Sequence, residues 1–303
     1  MTAGTGERSR AASPAGSHRR GPIDTPITDG NLSITFMALA PDDEGGTTVT
    51  DAIGTPRPVA RPAAPSALLL LAHGSRVPEA KEYTRALARA VGSAWAGRVE
   101  VAYLRHTRPT ARQALSMLAE AGHEQVAVVP LLLLSSAFHS RVDLPKALSN
   151  PLGRAPLVTP VMGGTTGEPD KRLVAALRRR LAELDVEFDA VVLVATGSTD
   201  VGAYAEVTAM ASALGTDLGL PCRAAFAATT TPTPGEAAEE LRRAGARRIA
   251  VASYCLASGV LYRETVEAST AAGVVGVSQP LGDAPELVEL VLERLHQARD
   301  AKA

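Results

Sequence analysis

From residue 68 onward, short apolar runs of strand length alternate with amphipathic stretches of ten to twenty residues. The runs predict strands at Leu68–Ala72, Val99–Leu104, Val126–Leu133 and Leu157–Val161, then at Ala190–Ala195, Arg223–Ala227, Ile249–Leu256 and Val274–Ser278. Helices are expected to begin near Pro78, Pro109 and His139, with proline in the first turn of two of them, where its missing N–H costs nothing. Strands that are apolar throughout, joined by helical segments, are the pattern of β-α units around a parallel sheet.

The second set of elements repeats the first at an offset of 123 residues. LLLLAHGS, ending at Ser75, falls on VVLVATGS, ending at Ser198, and the same register pairs Gly92 with Gly215, Pro109 with Pro232, Gly122 with Gly245 and Ser135 with Ser258. It slips only near the fourth strand, where TPVMG resembles QPLG. The expected fold is α/β: two similar domains related by this internal repeat, each a four-stranded parallel sheet flanked by helices. Their bounds are read as 66–186 and 187–303, behind a leader, 1–65, rich in Pro, Gly, Ala, Ser and Thr, whose composition predicts disorder.

Composition narrows the function. Aromatics are 3% of the chain, so Ala, Val and Leu must fill the cores. A net charge of -1 argues against bulk binding to nucleic acid, and no apolar run reaches the roughly 20 residues a membrane span needs. Two cysteines, Cys222 and Cys255, sit among apolar neighbours and read as reduced, buried thiols of a cytoplasmic protein.

The halves differ in one respect: His73, Arg105, His106 and His139 of the first fall on Thr196, Ala228, Thr229 and Tyr262 of the second. All four first-half residues follow strands, on the carboxyl rim where open parallel sheets bind ligands. Gly74 lets the backbone turn close to a ligand, and Ser75 and Arg76 supply donors. His139, at a predicted helix N-terminus, is expected to be neutral, as a metal ligand or proton acceptor must be. Two histidines with no carboxylate or cysteine set make a weak, open site suited to passing a metal on. From His73 to Arg112, eight basic residues stand against three acidic ones, and Arg76, Arg105 and Arg108, with Arg141 beyond, could meet a polyanion.

Across Leu68 to about Leu295 the chain resembles the class II chelatases, and within them the sirohydrochlorin chelatases of siroheme and cobalamin synthesis. The resemblance is carried by AHGSR, by VAYL followed by RPT, and by VVPLLLLSSAFHSRVDLP. It implies two chelatase-like domains, the first carrying the site and the second degenerate. It further implies insertion of a divalent metal, Fe2+ or Co2+, into sirohydrochlorin, the metal being a substrate and no organic cofactor being needed. By the match, His73 and His139 are the catalytic and metal-binding pair, while Ser75, Arg76, Arg105, His106, Arg108, Ser135, Ser136 and Arg141 would face a tetrapyrrole polycarboxylate. Neither nucleic acid nor membrane is an expected partner. One departure stands out: members commonly carry Glu directly after the second strand, where AYLR places Arg105. Two other readings remain: a non-catalytic metal or tetrapyrrole carrier, and a phosphatase using His73 as nucleophile.

Overall fold

The computed structural model describes residues 65–149, 155–164 and 168–301, so the leader expected over 1–65 lies outside them but for its last residue. Strands β1 (Ala67–Ala72), β2 (Arg98–Tyr103), β3 (Val126–Leu131) and β4 (Leu157–Val158) form one parallel sheet in the order β2-β1-β3-β4. Strands β5 (Ala190–Ala195), β6 (Cys222–Phe226), β7 (Ile249–Tyr254) and β8 (Gly276–Val277) form a second, in the order β6-β5-β7-β8. The expected α/β architecture, two four-stranded parallel sheets built by a repeat, is the one observed.

Helices α1 (Glu79–Ala94), α2 (Ala111–Glu120), α3 (Leu144–Leu148) and α4 (Lys171–Ala182) belong to the first half, and α5 (Val201–Leu218), α6 (Pro234–Arg243), α7 (Val260–Ala271) and α8 (Pro285–Asp300) to the second. A single π-helical turn, His139–Asp143, runs directly into α3. The central strands β1, β3, β5 and β7 are buried along their whole length, which is why they read as unbroken apolar runs rather than as alternation.

Successive side chains of these strands point to opposite faces. Leu68 and Leu70 of β1 and Val191 and Leu193 of β5 face a core that both halves share, while Leu69 and Leu71 face α2 and Val192 and Val194 face α6. Each such Leu or Val withdrawn from water contributes roughly 1.5–3 kcal/mol. The shared core also takes Leu173 and Leu177 of α4 and Leu287, Leu290 and Val291 of α8. These two helices have exchanged places: α8 packs on β3, β4 and α1, and α4 packs on β7 and α5. A cut between residues 186 and 187 would therefore part each sheet from a helix that covers it.

Some element ends differ from expectation. β3 and β7 stop two residues early because the N–H of Leu132 turns back to Pro130 O and that of Cys255 to Ser253 O. Only two residues of β4 pair, since Pro160 has no N–H with which to extend the ladder. Pro78 stands at the cap of α1 rather than inside its first turn, and Pro109 precedes the cap of α2, Thr110.

Candidate functional site

The repeat supplies the scaffold of the site. Gly74 and Gly197 follow β1 and β5 with φ of 88° and 96°, and a Cβ on either would lie 1.9 Å from a backbone oxygen, that of Arg105 or of Ala228. Only glycine permits this approach of the two rim loops. The next loops match as well: His106 and Thr229 have φ of 60° and 67°, and the capping boxes Thr110–Gln113 and Thr233–Glu236 start α2 and α6. In the first half the buried Thr107 hydroxyl accepts from Ser75 N–H at 3.2 Å and donates to Ser75 O at 2.9 Å, tying the loop after β1 to the loop after β2.

On this frame the rings of His73 and His139 meet with centroids 4.2 Å apart, tilted by 58°. The Nδ1 of His73 lies 2.9 Å from Gly74 O and that of His139 lies 2.6 Å from Asp143 Oδ2. Carbonyl and carboxylate oxygens only accept, so Nδ1 carries a proton in each ring, and in the neutral tautomer Nε2 is the atom with the lone pair. The Nε2 of His73 is shielded from solvent and has no hydrogen-bond partner among the described residues. Burial, and then the neighbouring His139, lower the His73 pKa below the ordinary imidazole value, which leaves it neutral near pH 7. His106 is farther off, its ring centroid 6.1 Å from that of His73.

The acidic partner of His139 is absent from the sequence-based site. Asp143, four residues on, is 11% exposed and receives two bonds from Arg105, Nε to Oδ2 at 2.9 Å and Nη2 to Oδ1 at 2.7 Å. Those Arg105 bonds first, and that from His139 after them, hold its carboxyl down to about 2. The expectation that no carboxylate accompanies the histidines is corrected here: one stands behind the ring, orienting it. The HxxxD spacing of His139-Ser-Arg-Val-Asp143 was the available signal, because residues four apart share a helix face.

A cavity of about 530 Å³ opens beside the two rings, between the halves. Its wall is largely apolar, with Leu131, Leu133 and Leu134 from one half and Tyr254, Leu256 and Leu261 from the other. His73, Ser75, Arg76, His106 and His139 line it, as do Lys81 and the repeat counterparts of the histidine pair, Thr196 and Tyr262. Cys255 lines it too, but burial pushes its thiol up to about 12 and thereby keeps it protonated.

The remaining residues expected at the substrate lie elsewhere. Arg105 is committed to Asp143, and Arg141 bonds Asp200 Oδ2 at 2.8 Å. Ser135 and Ser136 donate to Glu206, and Arg108 is exposed and outside the cavity wall. Local basic excess overstated the free charge: besides Arg105, Arg85 pairs with Glu82 and Arg98 with Glu100.

Comparison with known proteins gives this geometry its family. The CbiX family model matches twice, over residues 67–184 and 190–298, once on each half. A protein of Priestia megaterium named sirohydrochlorin ferrochelatase is 30% identical over 206 residues, covering 66% of this chain and 77% of its own. A sirohydrochlorin cobaltochelatase of the same organism is 26% identical over 209 residues, covering 66% and 67%. Among solved structures, SirB from Bacillus subtilis with Fe3+ superposes with a TM-score of 0.65 at 24% identity, covering 77% of this chain and 95% of that one, which is a likeness of fold. Because the family pattern takes in both halves in register with the observed repeat, the chain belongs to the CbiX family.

Proposed function

We propose that the chain inserts a divalent metal, Fe2+ or Co2+, into sirohydrochlorin in siroheme or cobalamin synthesis, and that it works in the cytoplasm. The observation that carries this is the histidine pair, two rings at 4.2 Å beside the cavity and each tethered through Nδ1; the two Nε2 atoms are the proposed ligands of one incoming ion. Two imidazoles and no thiolate hold such an ion loosely enough to release it.

The metal and the macrocycle are both substrates. Insertion replaces two pyrrole protons by one M2+ and releases two H+. Holding the macrocycle in the cleft against the ion supplies proximity, and the Nε2 of His73, neutral near pH 7, is able to take a departing proton. Arg76 and Lys81, with Ser75 and His106, are the cavity residues proposed to meet the substrate's carboxylates. Sirohydrochlorin chelatase names among the relatives, for iron and for cobalt, support this reading and leave both metals in play.

The test is to mix the purified full chain with sirohydrochlorin and either Fe2+ without oxygen or Co2+, and to follow the macrocycle's absorption. The expected result is metal-dependent turnover that falls by more than about a hundredfold in His139→Ala, beyond the loss typical of a group behind a ligand. His139 is 42% exposed, so this variant should fold normally. Stoichiometric binding with no rate above spontaneous insertion would instead make the protein a carrier.

A further inference from the structure

We infer that Glu206, on the half without the rim histidines, is the positioning residue for the loop that presents His139. It rests on the reading of His73 and His139 as the metal pair. Glu206 lies in the second turn of α5, and its carboxylate gathers four donors from two consecutive residues of the other half. Oε2 accepts from Ser135 N–H at 2.8 Å; Oε1 accepts from Ser136 N–H at 3.0 Å, from the Ser135 hydroxyl at 2.8 Å and from the Ser136 hydroxyl.

Placement makes this cluster consequential. His73 directly follows β1, a central strand paired on both sides, so its backbone is held by the sheet. His139 follows β3 by eight residues, and the segment between carries no strand or long helix. What holds Ser135 and Ser136 therefore sets where His139 stands relative to His73. Gly202, one turn before Glu206, allows the close fit: a Cβ there would lie 2.7 Å from Ser136 Oγ and 2.8 Å from Ser136 Cβ. Imidazole–metal bonds are about 2 Å long, so two rings share an ion only over a narrow range of separation, and functional groups must be held within about 0.5 Å of the productive arrangement. The repeat equivalent of Glu206 is Tyr83, which donates to Gln279 at 3.3 Å, so the anionic clamp is a one-sided addition to the duplicated scaffold.

The test titrates the full chain with Co2+ alone and follows its visible absorption bands, whose intensity reports ligand geometry, alongside thermal unfolding. Glu206→Gln places an amide N–H2 where the carboxylate accepted, and Glu206→Ala removes the acceptor. Both should weaken Co2+ binding about tenfold or more and raise the metal KM ahead of any fall in kcat. Gly202→Ala leaves Glu206 in place, favours helix, and displaces Ser136; it should do the same, which separates loss of position from loss of stability. Arg263→Ala, which cuts an exposed pair with Glu79 across the halves, should leave the Co2+ bands and affinity unchanged. Wild-type Co2+ affinity and spectrum in folded Glu206→Ala and Gly202→Ala would overturn this inference alone. Absence of any His139-dependent Co2+ signal in the unaltered protein would overturn the metal-pair reading, and the clamp with it.

Discussion

At His139 the direction of a single proton decides what the ring can do. Asp143 accepts it from Nδ1, which leaves Nε2 as the nitrogen for a ligand, the carboxylate–histidine arrangement that orients metal ligands generally. Arg105 gains a different meaning from this pair. In the loop after β2 this chain has a guanidinium, and the guanidinium holds the carboxylate that holds the histidine. Asp143→Asn should therefore cost about ten- to a hundredfold in Co2+ affinity, measured by titration with the metal alone, because an amide orients the ring poorly and pairs weakly with Arg105. Asp143 was legible as an HxxxD spacing, but Arg105 was not legible as its partner, since 38 residues separate them and nothing local joins them.

Among the elements, the central strands were the most readable and the edge strands the least. β1 and β5 are six-residue runs buried on both faces, and both halves of the sequence announce them alike. β4 and β8 pair over two residues each, and only single backbone bonds, from Thr159 to Val128 and from Val275 and Ser278 to Ile249 and Val251, continue beyond them. Helix starts depend on single side chains, and here the repeat predicts energies. Thr233 caps α6 in a capping box with Glu236, on the face of the second sheet turned away from the cavity. Thr233→Ala should lower unfolding free energy by about 1 kcal/mol in urea denaturation, with turnover unchanged.

The two halves are held together by the exchange of α4 and α8. Arg294 of α8 is 4% exposed and donates to Val161 O at 3.0 Å, to Met162 O at 2.7 Å and to Asp170 Oδ2 at 3.1 Å. Asp170 is itself the cap of α4, so one buried guanidinium ties the last helix to the end of the first half and to the helix it displaced. Arg294→Ala should destabilise by about 2–5 kcal/mol in chemical denaturation, because it leaves two buried carbonyls without their donor and takes from Asp170 one of its two arginine partners, Arg172 remaining. The same exchange keeps the halves apposed around the cleft, and no helix of the described residues is long and apolar enough to cross a membrane.

The sequence by itself determined the strands, the repeat, the rim on which the histidines stand, and their absence from the second half. Each of these follows from local patterning: apolar runs, glycines and prolines at fixed offsets, residue types at strand ends. Only the tertiary structure decided which charges were already spoken for, with Arg105 on Asp143, Arg141 on Asp200, and Ser135 and Ser136 on Glu206. It also decided that α4 and α8 trade sheets. The physical reason is common to both. An ion pair or a helix face is satisfied by whatever complementary group lies nearest in space, and chain separation carries no record of that distance.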